Sequence, residues 1–118
     1  MVIVSIGVTP ENTLAKDAGL KLGVKGALSV NSDMKTSDDD IYAVGDAVEV
    51  ENFISKAKAV ITLAGPANKQ GRIAADNICG INSTYKGTQG ASVIKLFDMT
   101  VASTGMSEKQ LKATGIEY

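Results

Sequence analysis

The stretch TSDDDIYAVGDA, Thr36 to Ala47, gathers the residues best suited to chemistry. Three consecutive carboxylates, Asp38, Asp39 and Asp40, precede the apolar run Ile41 to Val44, and Gly45 and Asp46 follow it. The apolar run predicts a buried strand. Asp is unfavourable inside a strand and Gly costs backbone entropy there. A Gly-Asp pair closing such a run therefore points to a use for a carboxylate at a strand tip. On residue chemistry alone, an ordinary turn accounts for the pair equally well. Asp38 to Asp40 raise the question of a metal, but neighbours in an extended chain point to alternate sides and rarely converge. A solvated turn is the expectation there.

Two further residues invite chemistry. Cys79 is the single cysteine, so the chain has neither an internal disulfide nor a CxxC pair. It falls at the end of a predicted helix, where the negative end of the dipole disfavours a thiolate. Asp98, in VIKLFDMTVA, follows an apolar run as an aspartyl nucleophile of a phosphohydrolase would. The DxDxT-like pattern is incomplete, because Thr100 stands where a second Asp is needed and Ala102 where the Thr is needed. The chain contains no histidine, which removes the commonest general base, the commonest zinc ligand and any Ser-His or Cys-His pair. Any chemistry here therefore calls for a bound organic cofactor.

The elements that would position these residues can be traced along the chain. Val2 to Ile6 predicts a buried, parallel-type strand. Thr9 and Pro10 read as N-cap and first residue of a helix running through Leu14 to Ala18 and stopping at Gly19. A short strand is expected at Ala27 to Val30, a loop at Asn31 to Asp40, and weaker strands at Val48 to Val50 and Ala57 to Leu63, joined by the hairpin-like ENFISK. Gly65 and Pro66 open a helix with Ala67, Gly71, Ala74, Ala75 and Ile78 on one face, ending near Cys79 and Gly80. INSTYKGTQG marks a boundary. Ala91 to Gly105 is strand-like, and a final helix starts at Ser107 and stops at Gly115.

With 118 residues, 44% hydrophobic and 21% charged, the chain has ordinary globular composition. A formal net charge of −1 with no basic run argues against nucleic acid as a partner. No apolar stretch approaches the roughly 20 residues of a spanning helix, so no membrane partner is expected. MVIVSIGV lacks the basic leader of a signal peptide, and a cytoplasmic setting is the expectation. Scattered short strands, two Phe and no Trp suggest part of a larger unit rather than a self-sufficient domain.

Four segments, in order, carry a family resemblance: VIVSIGVTPEN, TSDDDIYAVGDA, TLAGPANKQGRIAADNI and GASVIKLFDMTVASTGMSEKQL. They resemble the FAD-dependent pyridine nucleotide–disulfide oxidoreductases, nearest in wording to the coenzyme A-disulfide reductase and NADH oxidase branch. The resemblance implies an α/β fold, an incomplete FAD-binding Rossmann-like segment followed by the start of an α+β dimerisation domain. Residues 1–10 would end an NAD(P)-binding domain, 11–84 would be the C-terminal segment of the FAD-binding domain, and 85–118 would begin the dimerisation domain. It implies FAD, with NAD(P)H in the full-length enzyme, a homodimer, and the N-terminal FAD and NAD segments of a longer parent as partners. Asp46 would hydrogen-bond a ribityl hydroxyl, Gly45 would let the backbone come close, and Thr36 would order the preceding loop. The helix start Leu63 to Ala67 would face the flavin pyrimidine edge, with Leu63, Ala64 or Ala67 as donors because Pro66 has no N–H. No residue of this chain is expected to be catalytic or to bind metal. Glu11 departs from the family's Pro-Asn and should alter only the local turn. No GxGxxG turn is present, and Gly19, Gly23 and Gly26 have the wrong spacing. The family's redox cysteine belongs to an upstream segment. The chain alone is therefore expected to be inactive; a non-catalytic association module is the alternative function.

Overall fold

The structure, a computed structural model, describes residues 1–118. Its best-buried strand forms where two valines alternate with two glutamates, VEVE. This strand, β2 (Val48–Glu51), follows β1 (Leu28–Ser29) and precedes β3 (Lys58–Val60). β1 pairs parallel to β2, with Leu28 opposite Val48, and β3 pairs antiparallel, with Val50 opposite Ala59. The result is a three-stranded sheet in the order β1-β2-β3. The expected hairpin around ENFISK is the β2–β3 connection.

Helix α1 (Thr13–Asp17) precedes β1, and helix α2 (Ala64–Ile78) follows β3. Their apolar faces join the sheet in one small core of Ala15, Leu28, Val30, Met34, Val48, Val50, Ile73, Ala74 and Tyr85. Beyond it lie the separate antiparallel hairpin β4 (Ser92–Leu96) and β5 (Met99–Ser103), then helix α3 (Glu108–Thr114). α3 follows the expectation closely. Ser107 and Gln110 form a reciprocal capping box, and Gly115 ends the helix at φ 70°.

Four expectations are corrected. Residues Val2 to Ile6 form no strand and stand in solvent, with Ile6 91% exposed. A strand needs a neighbour to take its hydrogen bonds, and no element of this chain pairs with that segment. Ile41 to Val44 is not a strand either; it makes one isolated antiparallel bridge, Tyr42 with Lys35. Gly45 and Asp46 thus precede a strand, β2, rather than close one. Helix α1 starts at Thr13 with Asn12 in the N-cap position, three residues later than the expected cap at Thr9. The Glu11 carboxylate accepts from Thr13 N–H at 2.8 Å while the Asn12 side chain donates to Gly26 O at 2.7 Å. Hydrogen bonding from the Thr13 side chain, and then from its N–H, holds the Glu11 carboxyl below the ordinary glutamate range. Finally, the buried face of α2 is Pro66, Gln70, Ile73 and Ala74; Ala75 and Ile78 face solvent. The stripe is rotated because a buried glutamine belongs to it.

Candidate functional site

Gly45 begins a three-residue 3-10 turn, Gly45–Ala47, with extended residues on either side. Its φ of 80° lies in the left-handed region that glycine enters without steric cost. Its N–H donates to Gln70 Oε1 at 2.7 Å. Gln70 is 1% exposed and sits in the second turn of α2. A Cβ built on Gly45 would stand 3.9 Å from the Ala67 Cβ, so the turn lies directly against the start of that helix. The fold thereby brings Gly45, Ala67 and Gln70 together, although 25 residues separate Gly45 from Gln70 along the chain.

Asp46 is exposed, and no ion pair of the chain engages its carboxylate. It lines an open cleft with Val8, Thr9, Pro10, Glu11 and Ala47. The loop before it is ordered as expected of Thr36. The Thr36 hydroxyl accepts from Asp38 N–H at 3.1 Å and donates to Asp38 O at 3.2 Å, and Thr36 N–H donates to Ile41 O at 2.9 Å. Asp38 turns back to accept from Asp40 N–H at 2.9 Å. The three carboxylates form a turn, and no cluster in the chain could hold a metal ion.

The N-terminus of α2 has no side-chain cap, since Leu63 occupies the N-cap position. Leu63 N–H donates to Ile61 O and Ala67 N–H to Leu63 O, each at 3.1 Å. Pro66 has no N–H. Ala64 and Gly65, both exposed, are left as first-turn N–H groups to which the helix itself offers no acceptor. With Leu63 they line an open groove against Ala91, Ser92 and Val93. Gly65, expected to open the helix, was not expected as a donor, although it lies between the N-cap and the proline. Gln70 was missed too. Its signal was a polar residue at i+4 from Pro66 and i−3 from Ile73, inside an apolar stripe.

The remaining candidates lie apart from this arrangement. Cys79 is exposed and forms the C-cap of α2, at the negative end of the helix dipole and apart from the Gly45–Asp46 turn. Asp98 stands in the β4–β5 hairpin turn beside Phe97 (φ 52°), not at the carboxyl edge of a parallel sheet, so the phosphohydrolase reading has no site.

The sequence profile described as pyridine nucleotide-disulphide oxidoreductase matches residues 1–71. Among curated relatives, a CoA-dependent NAD(P)H sulfur oxidoreductase of Pyrococcus furiosus is 35% identical over 117 residues, covering 99% of this chain and 26% of its own length. An NADH oxidase of Enterococcus faecalis is 37% identical over 117 residues with the same coverages. The crystal structure of reduced Bacillus anthracis CoADR-RHD superposes with a TM-score of 0.90 at 55% identity, over 96% of this chain and 20% of that one. The chain thus spans about a quarter of the length of the curated relatives it matches. The match of sequence and fold together decides the family: the chain belongs to the pyridine nucleotide-disulphide oxidoreductases.

Proposed function

We propose that this chain is the flavin-contacting, C-terminal portion of an NAD(P)H-dependent FAD oxidoreductase of the disulfide reductase or NADH oxidase type. The observation that carries this reading is the Gly45–Asp46 turn, tethered to α2 at 2.7 Å beside that helix's uncapped start. The residues present fit a flavin. A free carboxylate accepts charge-assisted bonds from the hydroxyls of a sugar-alcohol chain. Exposed N–H groups at a helix start suit a ring carbonyl and favour negative charge nearby.

Within that reading, Gly45, Asp46, Leu63, Ala64 and Ala67 line the cofactor site; the Leu63 and Ala67 N–H groups already donate to Ile61 O and Leu63 O, so Ala64, joined by Gly65, supplies the donors. Asp46 takes a ribityl hydroxyl. Ala64 and Gly65 N–H face the pyrimidine edge, and the positive dipole end of α2 favours the reduced, more negative ring. FAD, when bound, supplies the redox step between NAD(P)H and a disulfide or oxygen acceptor. No side chain of this segment is assigned a catalytic step. Residues 1–10 end the NAD(P)-binding domain, 11–84 complete the FAD-binding domain, and 85–118 open a dimerisation domain whose partner is a second copy. A cytoplasmic setting is part of the same proposal.

The test is purification of the full-length flavoprotein carrying this segment. It should be yellow, release FAD on denaturation, and oxidise NADH or NADPH with a disulfide or oxygen present. A colourless protein that reconstitutes with no flavin overturns the reading.

A further inference from the structure

Gln70 is the one polar side chain on the buried face of α2, where Pro66, Ile73 and Ala74 surround it in sequence. An apolar side chain would fill that position without the desolvation cost of a buried amide. Its Oε1 accepts one hydrogen bond, from the N–H of Gly45. Gly45 holds a left-handed conformation and is followed at once by Asp46. A turn built on glycine is weakly fixed by its own backbone, so its aim depends on what tethers it. In a buried setting such a bond is strong, and an unmade one is costly.

We propose that Gln70 is a positioning residue of the flavin site: by holding Gly45 N–H against α2, it sets the Asp46 carboxylate relative to the N–H groups that open the same helix. This rests on the flavin reading above. Gln70 touches no cofactor in this account. It links the two parts of the site, the acceptor on the turn and the donors at the helix start, as a strut between them.

The experiment is a double-mutant cycle in the full-length flavoprotein. FAD dissociation is measured on reconstituted apoprotein, and thermal unfolding of the apoprotein is measured alongside. Gln70→Met keeps the length and removes the acceptor; it should weaken FAD binding about tenfold, the order of one lost hydrogen bond. In an Asp46→Ala background, Gln70→Met should add less than about twofold, because the carboxylate it positions is gone. Should the Met variant not fold, Gln70→Asn, one methylene too short to reach Gly45, carries the same expectations. The proposal is overturned by unchanged FAD binding in Gln70→Met, or by an equal loss in both backgrounds, which is the mark of a general effect on folding. If Asp46→Ala itself leaves FAD binding unchanged, the flavin reading falls, and the positioning role falls with it.

Discussion

At the scale of single residues, Gly45 is where a left-handed conformation and the proposed flavin site coincide. Replacing it with alanine meets no close atom, the nearest being Ala67 Cβ at 3.9 Å. The penalty is therefore conformational. Gly45→Ala should cost about 1–2 kcal/mol through the left-handed backbone alone, read as a shift in the denaturation midpoint; an unshifted midpoint would mean that the turn relaxes freely. Asp46 stood out beside a glycine, but an ordinary turn explains that pair equally well, and only the family resemblance gave its carboxylate a role. Gln70 was legible only in part: its spacing from Pro66 and Ile73 puts it on the apolar stripe, but its partner, the Gly45 N–H, comes from a turn 25 residues away along the chain. Glu11, by contrast, acts locally: its carboxylate accepts from the N–H of Thr13, the first residue of α1.

At the scale of elements, local chemistry was readable wherever it was self-contained. The Ser107 capping box, the Gly115 stop and the β2–β3 hairpin are made within a few residues, and all three follow the sequence. Ser107→Ala should cost about 1 kcal/mol of local helix stability, seen as faster amide exchange across residues 108–114 and nowhere else. Glu108 adds a pH dependence. Its contacts with Lys112 and Tyr118 hold its carboxyl below the ordinary glutamate range. A depressed folded pKa gives stability that is full above the unfolded value and lost as pH falls through the folded one. α3 should therefore fray in acid, and Lys112→Ala should move the Glu108 titration, followed by NMR, up towards the ordinary range. Gly23 is a third case. A side chain there would collide with the Glu49 carboxylate, which accepts from Val24 N–H at 2.7 Å. Gly23→Ala should expel that carboxylate and loosen the turn before β1. The strands expected at Val2–Ile6 and Ile41–Val44 failed for the opposite reason. Apolar runs state a readiness to pair, and the partner lies outside the run.

At the scale of the whole molecule, the surface is too large for a self-contained fold. The accessible area is 8365 Å², where a compact chain of this mass exposes about 6,100 Å². The radius of gyration is 15.9 Å, against about 13.5 Å for a compact domain of this length. The excess is apolar at both ends of the chain: Val2, Ile3, Val4 and Ile6, then Val93, Ile94, Phe97 and Val101 are all exposed. Such patches mark contact surfaces. The 118-residue chain alone should self-associate with rising concentration in sedimentation, and a strictly monomeric chain would contradict the assignment of residues 85–118 to an interface. It should also show no saturable NADH oxidation with added FAD, since it carries no glycine-rich dinucleotide turn.

The most direct measurement is the FAD dissociation constant of the full-length flavoprotein with Asp46 replaced by asparagine and by alanine. Loss of a charge-assisted hydrogen bond predicts weakening of about tenfold to a hundredfold for alanine, with asparagine in between because it keeps an oxygen but not the charge. Undiminished flavin affinity in both variants would contradict the account.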